Sequence, residues 1–344
     1  ALLMLRSSLS TPKLMHTLRS SPCGDNHLLV TFDNILRRSL SRIVNVDLSD
    51  LQWVQASLPV KDGGLGIRCA VMLAPSAFLA SAAGSRDLQD AILGRCGAQN
   101  DIFFDCVLVS WLSENNTQTP IGADAGRQKN WDKVSVARAK QVLASNLVDQ
   151  RDRARLLATS APHSSDWLLA FPIAACGLRL DDESVRVAVG LRLGAKLCEP
   201  HTCPCGSVVD CQGAHGLACK RSAGRSVRHQ TINDIVHRAL TRAGVPSVKE
   251  PLGLFRSDGK RPDGLTMIPW RAGRCLTWDV TVTDTLAASY LQVTSVKMGG
   301  AAEMASDRKE EKYIDLRKSY DFVPLALETL GPINEIGKTF LGDL

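Results

Sequence analysis

The sequence lacks any apolar run that approaches the roughly 18 residues needed for a membrane-spanning helix. The apolar opening at residues 1–5 is too short for the core of a signal peptide. We therefore expect an intracellular protein. Because the sequence does not open with Met and starts inside an apolar run, we also expect it to be part of something longer.

A strong charge imbalance is also missing. Lys and Arg number 41 against 35 Asp and Glu, so the net charge is +6. This mildly basic balance favours polyanionic partners without establishing them. The hydrophobic content of 44% excludes a disordered chain, and 344 residues allow two or three domains.

The glycines near residue 65 do not form a phosphate loop. Gly63, Gly64 and Gly66 lack G-x-G-x-x-G spacing, and no clear βαβ unit follows. The pattern predicts a tight turn. Before it, residues 32–44 show helical apolar spacing with an arginine-rich outer face, which is either solvated or a nucleic-acid contact. Residues 70–160 are predicted to be mostly helical, with a long helical segment at 131–157.

Ten of the eleven cysteines fall into two groups. Five of the eleven are scattered singly before Cys198, and in a reducing compartment these behave as small buried apolar residues. The second group is compact. It contains Cys203, Cys205, His215 and Cys219 in the order C-x-C-x9-H-x3-C, a donor set that suits tetrahedral zinc.

Other donors lie close to these four. Cys198, His201 and Cys211 are spare candidates, and chance clustering in a cysteine-rich loop is the alternative to a metal site. A metal here would hold together a short loop that cannot bury a core of its own. Its role would be structural, or to present the basic residues that follow.

Two acidic residues lie in apolar, β-branched stretches near the C-terminus. Asp263 opens a predicted strand at residues 265–268, and Asp279 lies within another at 275–283. Neighbouring strands are about 5 Å apart, so the carboxylates could share a divalent cation. A charge inside an apolar strand costs several kcal/mol unless it is paired, and salt bridges to Arg261 or Arg274 are the alternative.

The surrounding pattern predicts a small α/β module. Helices are expected at 225–243 and 301–319 and at the C-terminus, and further strands at 252–255 and 322–329. Lys309 and Lys312 are three residues apart and so share a helix face. An ammonium directed at the acids could stabilise an attacking water or the charge developing on a phosphate.

This order of elements resembles the PD-(D/E)xK nuclease core. More specifically, it resembles the restriction-like endonuclease of site-specific non-LTR retrotransposons. The motifs that carry the resemblance are the cysteine–histidine cluster ending at Cys219, Arg228-His229, Lys260-Arg261-Pro262-Asp263, Trp278-Asp279-Val280-Thr281 and Lys309-x-x-Lys312-Tyr313. Residues 32–67 resemble the segment that follows the palm in the reverse transcriptases of these elements. The resemblance is strongest over residues 203–330 and weakest over 85–170.

One departure concerns the catalytic lysine. Thr281 stands two residues after the second acid, where the general motif has lysine. In the retroelement branch a lysine on the following helix fills that role, and Lys309 is the nearest match, with Lys312 behind it. The polymerase palm is absent from these residues, so the resemblance assigns reverse transcription to a longer parent protein.

The resemblance implies an α+β chain with a largely helical N-terminal region, a small zinc knuckle and a mixed-sheet α/β nuclease core. The expected domains are a polymerase-thumb-like region at 1–85, a helical linker domain at 86–197, the knuckle at 198–224 and the endonuclease at 225–344.

The implied function is a Mg²⁺-dependent DNA endonuclease that nicks target DNA to prime reverse transcription. Asp263 and Asp279 would hold Mg²⁺, with Glu250 as a candidate third acidic ligand. Lys309 would position or activate water, supported by Lys312 and Tyr313.

The expected nucleic-acid contacts are Lys220, Arg221, Arg225, Arg228, His229, Lys260 and Arg261. The implied partners are target DNA and element RNA in the nucleus, with no membrane and no small-molecule substrate. The alternatives are a zinc module that binds nucleic acid and has lost catalysis, and a non-functional genomic remnant.

Overall fold

A computed structural model describes residues 1–94, 101–254 and 261–344. The fold is α+β, as predicted. The chain divides into two compact units: unit 1 comprises Ala1–Val148 and Ala170–Ala195, and unit 2 comprises Asp149–Leu169 and Lys196–Leu344. The four-part domain division remains a prediction.

The described α-helices, in chain order, are α1 Leu2–Met4, α2 Met15–Ser20, α3 His27–Val44, α4 Asp50–Ser57, α5 Ala70–Leu93, α6 Ile102–Asn115, α7 Gln128–Asn146, α8 Gln150–Thr159, α9 Asp182–Leu193, α10 His215–Ala218, α11 Gly224–Arg242, α12 Leu291–Thr294, α13 Gly300–Lys312 and α14 Glu335–Asp343. The described strands are β1 His201–Thr202, β2 Val208–Val209, β3 Ser247–Lys249, β4 Gly264–Arg271, β5 Arg274–Thr283 and β6 Asp321–Glu328. None of the described helices is both long and apolar enough to cross a bilayer.

Unit 1 is helical, and a buried carboxylate fixes the start of its long helix α5. Asp33 accepts hydrogen bonds from the backbone N–H groups of Ala70 (2.7 Å) and Val71 (3.1 Å), two donors that have no partner within the helix. The Cys69 thiol also donates to Asp33, at 2.9 Å. Burial and the adjacent carboxylate raise the pKa of Cys69 to about 12, so this thiol stays protonated.

The glycine-rich stretch forms the predicted tight turn. The buried Arg192 guanidinium donates to the carbonyl oxygens of Val60 (3.2 Å) and Gly64 (3.1 Å). A Cβ on Gly64 would lie 2.0 Å from the carbonyl oxygen of Leu58, so only glycine fits there. The hydrogen bonds from Arg192 stabilise this turn, as expected for a structural element.

The long helical segment predicted at 131–157 is interrupted. Helix α7 ends at Asn146, and Asp149 caps the start of α8 by accepting a hydrogen bond from Arg151 N–H at 3.0 Å. Both helices bury an apolar face, so the apolar spacing in the sequence continues across the interruption. The spacing alone therefore did not reveal that Asp149 caps a second helix.

Unit 2 contains a mixed four-stranded sheet in the order β3-β4-β5-β6. Strands β3, β4 and β5 are successively antiparallel, whereas β5 and β6 are parallel over eight residue pairs from Leu276–Asp321 to Thr283–Glu328. The β4–β5 turn has positive φ at Ala272 (47°) and Gly273 (74°), as a tight hairpin requires. Helix α13 lies in the connection that parallel pairing needs between β5 and β6.

Alternation along β5 separates the two faces of the sheet. One face packs against α11 and α14 in a core formed by Val236, Leu240, Leu276, Trp278, Val280, Val323, Leu325 and Phe340. On the other face Ala302 and Ala305 of α13 pack against Ala326. Asp279 lies between Trp278 and Val280 and therefore projects toward the face covered by α13.

In unit 2 one predicted strand is wrong over its described residues, and one helix ends earlier than predicted. Residues 252–254 are not a strand; β3 precedes them and ends before Glu250, whose φ of 50° leaves extended geometry. Phe255 lies outside the described residues. Helix α13 ends at Lys312 instead of Ser319, because Tyr313 (φ −109°, ψ 26°) leaves helical geometry and its ring is buried.

Candidate functional site

The close packing of two strands positions the first acid. Gly264 at the start of β4 pairs with Trp278 of β5, and a Cβ on Gly264 would lie 1.9 Å from the buried indole ring. Glycine is therefore required for this approach. The preceding residue, Asp263, donates its backbone N–H to Trp278 O at 2.9 Å and accepts Val280 N–H on its carboxylate at 2.6 Å.

The second acid lies beside the first. Gly264 and Trp278 are paired in antiparallel strands. Asp263 precedes Gly264 and Asp279 follows Trp278, so the two acids lie next to each other at the same end of the β4–β5 pair. The Asp279 side chain is only 5% exposed. The ammonium of Lys309 on α13 donates a hydrogen bond to the Asp279 carboxylate. The lysine and the acid singled out in the sequence are therefore in contact.

A histidine completes the group on the other side. His229, in the first turns of α11, lies with Nε2 3.0 Å from Asp263 Oδ2. This hydrogen bond raises the pKa of His229; burial opposes the shift, while the charges of Asp263 and Asp279 favour it. His229, Asp263, Asp279 and Lys309 thus form one cluster, in which the two carboxylates lie between the imidazole and the ammonium.

Helix α11 is anchored to the same strands one turn further on. The buried Asn233 side chain accepts a hydrogen bond from Trp278 Nε1 at 2.8 Å and donates to Asp263 O at 3.4 Å. His229 and Asn233 are four residues apart and so share a helix face. This face fixes both the indole and the chain that carries Asp263.

A buried acid fixes the helix that carries Lys309. Glu328 of β6 accepts hydrogen bonds from the backbone N–H groups of Ala301 (2.9 Å) and Ala302 (3.2 Å) at the start of α13. Burial raises the pKa of this carboxyl, partly offset by these hydrogen bonds. Glu328 therefore sets the position of α13 against the sheet.

The remaining predicted catalytic residues lie around this group. Lys312 donates to the Tyr313 hydroxyl at 2.8 Å, and that hydroxyl donates to Arg261 O at 2.9 Å, two residues before Asp263. Glu250 N–H donates to Asp263 O at 2.8 Å, but the Glu250 carboxylate forms an ion pair with Arg261. The Glu250 backbone thus adjoins the acids while its side chain is engaged elsewhere.

The cysteine–histidine cluster is a second candidate centre. The donor atoms of Cys203, Cys205, His215 and Cys219 all lie within 4.8 Å of one another, and this set could bind a metal ion. Cys203 and Cys219 sulfurs are 3.7 Å apart, and Cys205 Sγ lies 3.2 Å from His215 Nε2. Tetrahedral zinc with Zn–S bonds of about 2.3 Å separates two sulfurs by about 3.8 Å, so the donors fit zinc.

The chemistry of one thiol agrees with metal binding. Hydrogen bonds from Ser207 lower the pKa of Cys205 to about 6, so its thiolate is available near neutral pH. Cys198, one of the spare donors, instead donates to Asp210 O at 3.3 Å. The backbone carbonyl of Cys211, a second spare, accepts the Leu197 N–H at 2.7 Å.

The predicted nucleic-acid residues differ in exposure. Lys220, Arg221 and Arg225 are exposed, whereas Arg228 is half-buried and donates to Leu217 O. Arg221 donates to Pro204 O at 2.7 Å. His229 contacts Asp263, as described above. Lys260 lies outside the described residues.

No protein-family model matches the chain, and no curated protein matches it either. The functional conclusion therefore depends on the residues and their geometry.

Proposed function

We propose that this chain is the endonuclease portion of a non-LTR retrotransposon protein, which nicks DNA so that the new 3′ end primes reverse transcription. The observation that supports it is the joining of Asp263, Asp279 and Lys309 at one end of the β4–β5 pair. Target DNA and element RNA would be its partners, in the nucleus.

Asp263 and Asp279 would hold Mg²⁺. Two carboxylates are a fitting donor set, because Mg²⁺ in proteins commonly takes one or two carboxylates and completes its shell with water and substrate phosphate. When bound, the ion supplies Lewis-acid stabilisation of phosphate charge.

The protein groups have separate roles in this proposal. Lys309 orients the attacking water through its ammonium, which also forms an ion pair with Asp279. His229 and Val280 N–H hold the Asp263 carboxylate in place. Water oxygen bonds to phosphorus and gives up a proton, the bond from phosphorus to the 3′ oxygen breaks, and that oxygen takes up a proton. The products are a 5′-phosphate and a 3′-hydroxyl. A 3′-hydroxyl is the end that a polymerase can extend.

Zinc at Cys203, Cys205, His215 and Cys219 would be structural. All four positions are protein ligands, as in closed structural sites, so no position remains open for water or substrate. The metal would hold the loop that leads into α11, with Lys220, Arg221 and Arg225 displayed along it.

The test is nicking of supercoiled plasmid with Mg²⁺. The parent protein should convert it to the open circular form, and Asp279→Asn should slow this at least about a hundredfold by removing a metal-binding charge. Asp234→Asn is the matched control, since Asp234 is an exposed acid of the same unit that pairs with Lys249. Equal nicking by Asp279→Asn and parent would refute the assignment. Plasmid binding without nicking by the parent would favour the catalytically inactive zinc module.

A further inference from the structure

Charges are segregated around helix α13. At about 100° per residue, Arg308, Lys309 and Lys312 fall within one arc of about 100°. The acidic residues of the helix fall on the opposite arc: Glu303, Asp307, Glu310 and Glu311. Cations in a last turn also favour the helix dipole. Glu310 and Glu311 occupy that same last turn, where the helix dipole disfavours them. The helix dipole alone therefore does not explain why basic and acidic residues lie on opposite arcs.

Lys309, at one edge of the basic arc, donates to Asp279 and so lies at the acid pair. Its neighbour Arg308 is exposed, and among residues 1–94, 101–254 and 261–344 no carboxylate forms an ion pair with it. Two cations that follow α13 in the chain are paired instead: Arg317 with Glu310 at 3.1 Å and Lys318 with Asp315 at 2.8 Å. Arg308 thus carries uncompensated charge one residue from the catalytic candidate.

Arg308 is nevertheless held in one orientation. Its Nη1 donates to the Tyr290 hydroxyl at 2.9 Å, and its guanidinium lies 5.6 Å from the centre of the Tyr290 ring. The Tyr290 backbone is itself fixed, with its carbonyl accepting Val293 N–H and Thr294 N–H, both at 2.9 Å. A guanidinium has five N–H donors, and a single bond to a hydroxyl leaves others for a ligand.

We propose that Arg308, oriented by Tyr290, binds a backbone phosphate of the nucleic-acid strand that enters the acid site. The inference rests on the proposed nuclease function for the position of that strand. The fork geometry of arginine matches two phosphate oxygens, and orientation in advance reduces the entropy lost on binding. The ligand class is a phosphodiester of DNA, read without base specificity.

The test measures binding of a fluorescein-labelled duplex oligonucleotide in buffer without Mg²⁺, across a salt series. Arg308→Ala should weaken binding about tenfold and reduce the slope of log affinity against log salt by about 0.9, the value for one phosphate. Tyr290→Phe should weaken binding about two- to fivefold with the slope retained, since it removes one hydrogen bond and no charge. Arg317→Ala, which removes a paired cation, should leave the slope unchanged.

The outcomes separate this inference from the proposed function. If Arg308→Ala keeps the parent slope while the parent nicks plasmid, the phosphate contact is refuted and the nuclease stands. If the slope falls by about one phosphate but the parent does not nick, the contact stands and the nuclease is refuted. A parent that does not bind the duplex refutes both. Circular dichroism of each variant checks that the fold is retained.

Discussion

Replacing Gly264 with alanine tests how the fold positions the acids. The added Cβ would lie 1.9, 2.2 and 2.3 Å from three ring atoms of Trp278. The ring cannot move aside easily, since it is fully buried and donates to Asn233 at 2.8 Å. Overpacking of this kind costs about 1–3 kcal/mol, and the absence of a free direction here puts Gly264→Ala at or above about 3 kcal/mol.

Urea unfolding followed by circular dichroism measures this loss. Gly253→Ala is the matched control, because no atom of the described residues, apart from its chain neighbours, lies within 4 Å of its added Cβ. It should change the free energy of unfolding by less than about 0.5 kcal/mol. Trp278→Leu opens space beside Gly264 but leaves a cavity. The loss of unfolding free energy in the double variant should therefore be smaller than the sum of the two single losses by at least about 1 kcal/mol.

Gly264→Ala should also lose nicking activity, even at temperatures where it remains folded, because Asp263 adjoins Gly264 and would be displaced from Asp279. An unfolding free energy for Gly264→Ala within about 0.5 kcal/mol of the parent would refute the packing argument. Strict additivity in the double variant would refute it as well.

Three further predictions concern other positions. Cys203→Ser should abolish stoichiometric zinc, measured by atomic absorption, and lower thermal stability, whereas the exposed Cys176→Ser should do neither. Because the pKa of Glu328 is raised in the fold, its contribution to stability is full below the unfolded pKa of about 4.3 and is lost as pH rises through the folded pKa. The free energy of unfolding of Glu328→Gln should therefore rise relative to that of the parent between acidic and neutral pH. Paired urea titrations measure this difference. Lys309→Met should abolish nicking and Thr281→Lys should partly restore it in that background, since Thr281 and Asp279 share a strand face; no recovery would count against a shared role.

Sequence patterns predicted the local elements of unit 2 well. Alternation identified β5, an apolar run identified β6, and helical spacing identified α11 within a residue of its bounds. The cysteine–histidine spacing selected the same four donors that the structure brings together, because these lie within seventeen consecutive positions. Donors so close in sequence leave few other arrangements once the turns form.

Contacts between distant residues were not predictable in this way. His229 was expected among nucleic-acid contacts, yet it meets Asp263, thirty-four positions away. Glu328 carried no sequence signal beyond its polarity. A signal for Asn233 did exist, since it lies four residues after His229 and three before the buried Val236 on one helix face. Only the register of β4 and β5 gives that face its partners.

The composition of unit 2 from two chain segments limits how the protein can be divided. The chain passes between the units at three points, after residues 148, 169 and 195. Ala154 of α8 packs with Ala214 and Leu286 in one buried cluster, so a fragment beginning at residue 196 would expose that cluster to water. A fragment beginning at 149 would instead carry α9, whose Arg192 is buried against the glycine turn of unit 1. Neither unit can therefore be cut out as one contiguous piece of the chain.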